Sequence, residues 1–204
     1  MAITYEVGEN LYLNITNRCT NACSFCVRYQ ESMFHGKYDL WLEKEPTYED
    51  IIKELKNIKK YKEIVFCGYG ESTLRLDIVI EVARYLKKQG AYVRLDTNGS
   101  GNLIHKKDIT PLFKGLVDEV IVSLNFSTAE LYEKMCHPDL GPQAYPALID
   151  FALKAKDQVK KVSFSVLDLK ENDIKECKKI SKKLGVPLII RPYYVTHYKK
   201  KKHL

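Results

Sequence analysis

Leu11 to Cys26 read LYLNITNRCTNACSFC. The opening apolar run, residues 11 to 15, reads as a buried strand. The ten residues after LYLNIT hold three cysteines, Cys19, Cys23 and Cys26, with three and then two residues between them. A strand therefore runs straight into a loop carrying three thiols, and that placement organises the rest of the chain.

Five further apolar runs rich in valine, isoleucine and leucine follow, at residues 63 to 67, 91 to 95, 119 to 124, 162 to 167 and 186 to 191. Each reads as a buried strand. Between them stand segments of helical period, among them TYEDIIKELKNIKK, LDIVIEVARYLKKQG, YPALIDFALKAKDQ and ENDIKECKKISKKLG, too long for hairpin turns. Thr47 with Asp50 and Ser127 with Glu130 are candidate capping boxes, and Gly90 and Gly185 stand where a left-handed helix end needs glycine. Alternating strands and helices predict an α/β fold of parallel strands, either an open doubly wound sheet or a barrel. In both, functional loops follow the carboxyl ends of the strands.

The chain has 204 residues, 45% of them hydrophobic, which suits one domain with a sizeable core. The formal charge is +7, and Lys199 to Lys202 supply four of those charges, leaving +3 for the rest. Residues 199 to 204 read as a solvated, disordered basic tail beside a core domain of residues 1 to 198; docking on nucleic acid is the weaker alternative. No apolar stretch is long enough to span a membrane and the start lacks a secretory pattern, so a cytoplasmic protein is expected. Residues 28 to 46, which include the single tryptophan, Trp41, form either a substrate-facing loop or a packed connection.

Six cysteines with close spacing in one place only argue against a disulfide framework and for metal binding. Cubane iron-sulfur clusters normally take four thiolates, and this loop offers three, which leaves one iron open for a ligand. A structural zinc site completed by Cys67, Cys136, Cys177 or a histidine is the alternative. The isolated Cys67, Cys136 and Cys177 read as packed thiols.

CTNACSFC, residues 19 to 26, has the CxxxCxxC form, with the aromatic Phe25 before the third cysteine, and resembles the motif of the radical SAM superfamily. The resemblance implies a partial (β/α)6 TIM-type barrel from Tyr12 to about Tyr194. It also implies a 4Fe-4S cluster on Cys19, Cys23 and Cys26 that binds S-adenosylmethionine (SAM) at its open iron. Fed an electron by flavodoxin or ferredoxin, it would cleave SAM to a 5'-deoxyadenosyl radical, which abstracts hydrogen from a small-molecule or macromolecular substrate.

CGYGE resembles the family's GGE motif, with Tyr69 in place of the middle glycine, and so assigns Gly68, Tyr69, Gly70 and Glu71 to the methionyl amino group. By the same resemblance Thr97, Asn98 and Gly99 lie near the cofactor, Ser123 and Asn125 contact its ribose or carboxylate, and Val166 packs on adenine. Phe25 and Arg191 join this cofactor set; the Arg191 guanidinium is suited to a carboxylate or phosphate, or to a structural ion pair. His137 reads as loop structure or substrate lining.

Among relatives, the chain looks like short stand-alone members, including a set associated with TatD-type hydrolases. An activase that places a glycyl radical on a partner protein is the alternative enzyme. A structural metal-binding or nucleic-acid-binding module is the alternative of another class.

Overall fold

The computed structural model describes residues 1–30 and 33–193; the basic tail lies outside them. One seven-stranded sheet runs in chain order: β1 (Thr4–Val7), β2 (Asn10–Leu13), β3 (Ile64–Phe66), β4 (Val93–Thr97), β5 (Glu119–Ser123), β6 (Lys161–Asp168) and β7 (Leu188–Pro192). Each pair from β2 to β7 is parallel. The helices between them are α1 (Tyr48–Glu54), α2 (Leu76–Lys88), α3 (Gly101–His105), α4 (Ala129–Cys136), α5 (Ala144–Ala155) and α6 (Ile174–Leu184). This curled sheet with helices along one face is a partial (β/α) barrel of six parallel strands, as expected, with one added strand. No described helix is long and apolar enough to cross a membrane.

The added strand, β1, pairs antiparallel with β2, Val7 opposite Asn10. The two-residue turn Gly8-Glu9 joins them, with Gly8 at φ 59°, the positive φ that tight hairpin turns demand. That glycine between two short alternating runs is the signal that would have found it.

The strands β4 and β7 start two residues later than the apolar runs. At both places the preceding helix ends in a six-to-one cap: Ala91 N donates to Leu86 O at 3.1 Å and Val186 N donates to Ser181 O at 3.1 Å. Gly90 and Gly185 occupy the left-handed position, and the residue after each glycine is still engaged by the helix.

Two helix boundaries differ from expectation. TYEDIIKELKNIKK is not one helix, because Asn57 adopts a left-handed φ of 51° and begins a separate short turn, Ile58–Lys60. The Thr47 capping box forms in both directions. The helix after β5, however, is capped by Thr128 rather than Ser127: Leu131 N donates to Thr128 Oγ1 at 3.2 Å. Thr128 is the extended residue there, so its hydroxyl meets the free amides.

Period two sorts the strands into two faces. Leu13, Phe66, Val93, Leu95, Val120, Val122, Phe164 and Val166 are buried with the helices in one core. The opposite, concave face carries Tyr12, Val65, Arg94, Asp96, Ile121, Ser163 and Ser165, which follow one another across the register. At its β1 edge this face is closed by a second cluster in which Tyr5, Leu40 and Tyr69 are buried and Tyr12, Phe34 and Tyr38 pack against them. Within residues 28 to 46, Leu40 and Leu42 are thus packed inward, while Trp41 stays 51% exposed, its ring centroid 6.4 Å from that of Tyr69.

Candidate active site

The cysteine loop leaves the end of β2 and is fastened from three sides. From α4, Ala22 N donates to Cys136 O at 2.9 Å and Ser24 N donates to Met135 O at 2.9 Å. From within the loop, the Arg28 guanidinium donates to Asn17 O at 2.8 Å, Asn21 O at 3.3 Å and Tyr69 O at 3.3 Å. From the third side comes the loop after β3, in which Glu71 N donates to Arg18 O at 2.8 Å. Asn14, fully buried, takes Tyr69 N on its amide oxygen and donates to Ala2 O and Leu40 O.

Gly68 and Gly70 have a steric reason beside any ligand. A Cβ on Gly70 would stand 2.4 Å from both Thr16 O and Arg18 O, and one on Gly68 would stand 2.2 Å from Asn14 Oδ1. The close approach these glycines permit is to the backbone that leads into the cysteine loop. Tyr69 is accommodated between them because its ring turns into the aromatic cluster.

The Glu71 side chain is held by the protein itself. It accepts from Thr73 N at 3.0 Å, Thr73 Oγ1 at 2.7 Å, Thr97 Oγ1 at 2.8 Å and Asn98 N at 2.7 Å. Asn98 in turn donates to Thr20 Oγ1 at 3.0 Å, with Cys19 Sγ at 3.8 Å. The TNG segment and the GYGE loop are thereby brought against the cysteine loop, with the Glu71 carboxylate as the junction.

Phe25 is buried edge-on to Phe126, so the aromatic before the third cysteine packs the loop onto the strand-end region after β5. There Asn125, at a left-handed φ of 57°, has its Nδ2 3.8 Å from Cys136 Sγ. Ser123 lies on the concave face, in register with Ser165. Val166 is not brought to this side: it is fully buried in the helix-side core, because an even step along β6 from Phe164 keeps it on that face. His137 ends α4 in a left-handed conformation, which makes it a loop residue. Arg191 pairs with Asp96 at 3.1 Å.

Cys19, Cys23 and Cys26 are partly exposed, whereas Cys136 and Cys177 are buried. Burial, with Glu71 nearby, pushes the Cys19 thiol up to about 12; a hydrogen bond with Cys136 and then burial push Cys23 up as well. Ligation to a metal would release those protons. Three soft thiol donors on one fastened loop fit an iron-sulfur centre in donor chemistry. As the side chains stand, no group of three or more His, Cys, Asp or Glu among the described residues surrounds a common point, the Cys23 thiol being turned to Cys136.

The model of the Radical SAM superfamily matches residues 13–182. The chain belongs to the radical SAM superfamily. Two curated relatives share 30% identity with it. One, over 107 residues, is the Methanocaldococcus jannaschii protein named "Putative glycyl-radical enzyme activating enzyme MJ1227", with 52% of this radical SAM chain and 39% of that protein covered. The other, over 92 residues, is the Pyrococcus furiosus "Tungsten-containing aldehyde ferredoxin oxidoreductase cofactor-modifying protein", with 44% of this chain and 24% of that protein covered. The matched stretches thus span under half the length of either relative.

Among solved structures, TYW1 with a lysine-pyruvate adduct superposes with a TM-score of 0.65 at 14% identity, over 94% of this chain and 67% of that one. Streptococcus suis SuiB bound to the precursor peptide SuiA gives 0.63 at 17% identity, over 97% and 43%. At such identities the likeness is one of fold.

The sequence names the cysteines and the GYGE and TNG segments that the structure brings together, and the strand-end Ser123 and Asn125. Arg28, Asn14, Arg94 and Asp96 were not legible in it. For the last two a signal existed: RLD alternates charged residues inside an apolar strand, which marks a polar inner face.

Proposed function

We propose that the chain is a radical SAM enzyme in which Cys19, Cys23 and Cys26 hold a 4Fe-4S cluster with one open iron. When bound, the cluster supplies the electron that breaks SAM reductively, so that hydrogen can be abstracted from a substrate. The observation that carries this reading is the three-thiol loop at the carboxyl end of the first parallel strand, inside a match to the family model that spans residues 13–182.

On this reading the chain's own residues bind and shield. Glu71 fixes the loop after β3 so that its backbone groups are available to the methionyl end of SAM, with Asn98 beside Cys19. Ser123 and Asn125 offer polar contacts at the ends of the neighbouring strands. The apolar cluster of Tyr5, Leu40 and Tyr69 keeps water from one flank, which a radical requires. A flavodoxin or ferredoxin supplies the electron, and the cytoplasm keeps the six free cysteines reduced.

Anaerobic reconstitution with iron and sulfide, followed by SAM and a reductant, tests the reading. A 4Fe-4S signal by electron paramagnetic resonance and 5'-deoxyadenosine are expected; absence of both sinks it. Cys23→Ala should abolish cluster assembly and Cys177→Ala should leave iron nearly unchanged.

A glycyl-radical activase is the second reading, favoured by the name of the Methanocaldococcus jannaschii relative. Formation of a glycyl radical on a partner protein co-incubated with the reconstituted chain would distinguish it.

A further inference from the structure

The concave face is aromatic at one end and polar at the other. Aromatic side chains occupy it at β1 and β2, whereas β4 to β7 present Arg94, Asp96, Ser163, Ser165 and Arg191. Arg94 is answered twice: by Glu63 and, at 3.0 Å, by Asp96 Oδ1. Arg191 has only the other oxygen of that shared carboxylate, Asp96 Oδ2 at 3.1 Å, and among the described residues its guanidinium hydrogen-bonds nothing else. Its side chain is 37% exposed. On the same face, one strand from Ile121 and two from Asp96 in register, Ser163 is 1% exposed and its Oγ has no hydrogen-bond partner among the described residues.

A guanidinium anchored to a carboxylate through one nitrogen keeps its other N–H donors for a second oxyanion, which the planar group can recognise through paired hydrogen bonds. A buried hydroxyl without a partner is unfavourable unless something polar meets it. Both features belong to the same polar face of the sheet, Arg191 reaching solvent and Ser163 buried.

We propose that this face binds a substrate carrying a carboxylate or phosphate group, seated on the free edge of Arg191, with Asp96 as the positioning residue and the Ser163 hydroxyl on the adjoining wall. The proposal rests on the radical SAM reading above, since it assigns the concave face to the substrate.

Calorimetric titration of the reconstituted protein with inorganic phosphate and with succinate tests it. Wild type is expected to bind at least one of them, and Arg191→Gln to weaken that binding by roughly tenfold or more, the scale of a charged hydrogen bond. Should Arg191→Gln fail to fold, wild type alone decides: phenylglyoxal should label Arg191, and the same anions should protect it while leaving the exposed Arg84 labelled. Equal binding by variant and wild type, binding of neither anion, or unprotected Arg191 overturns the proposal. Protection by SAM in place of the two anions also overturns it, by giving the guanidinium to the cofactor. Iron content and 5'-deoxyadenosine formation by wild type are read separately, so that loss of this proposal and loss of the radical SAM reading are distinguishable.

Discussion

Asp96 Oδ2 and Arg191 Nη2 lie 3.1 Å apart although β5 and β6 stand between their strands. Adjacent strands are about 4.8 Å apart, so a flat sheet would hold these two strands about 14 Å from each other. The pair is a chord across the curl. Asp96→Ala removes the chord and leaves both Arg94 and Arg191 short of a carboxylate. It should destabilise the protein by about 3 kcal/mol or more, read from urea denaturation midpoints.

Gly70→Ala should be far more harmful than Gly115→Ala. The first drives a Cβ to 2.4 Å from two carbonyl oxygens, which forces the cysteine loop away from β3 and should cost more than about 3 kcal/mol or prevent folding. The second meets open space and suffers only its positive φ of 74°, about 1 kcal/mol. Thermal melts of the two variants give the comparison.

Glu71→Gln should lower stability by roughly 2 kcal/mol. Every neighbour of this carboxylate is a donor, so a side-chain NH2 group must oppose at least one of them. Because Asn98 and Thr20 hang from the same junction, the iron retained per chain after reconstitution should fall as well.

Arg28→Lys should fold yet hold iron poorly. One ammonium cannot serve the carbonyls of Asn17, Asn21 and Tyr69 that the guanidinium fork joins. Iron per chain, against the melting temperature of the same sample, separates loop disorder from loss of fold.

Asp118 predicts an acid limb. Burial alone would raise its pKa, but Lys160, Lys87 and Val93 N more than offset this and hold it below its ordinary 3.8. A lowered folded pKa means that the unfolded chain binds the proton first. The stabilisation is therefore complete above the ordinary value and is lost as pH falls through the folded one. Asp118→Asn should be clearly less stable than wild type at neutral pH, with the gap closing in acid below 3.8; melting temperatures across that range measure it.

Six parallel strands and the cysteine loop were legible because each rests on a local rule: an apolar run, a helical period, a fixed spacing of thiols. The β1 strand escaped because four residues carry too little alternation to register without the Gly8 turn. Val166 was misplaced because no run of valine and leucine tells which of two faces each residue takes, whereas the packing against helices does. Arg28 and Asn14 were invisible for a different reason. Each acts on backbone oxygens or amides distant in sequence, and such partners leave no trace in residue type.

The GYG triplet sits so close to Asn14, Thr16 and Arg18 that neither glycine has room for a Cβ, whatever the site binds. A pseudoenzyme descended from this chain, stripped of its thiols, would still have to keep both glycines to fold. Such silent relatives would be betrayed by lost cysteines, while their glycines went on imitating a working site.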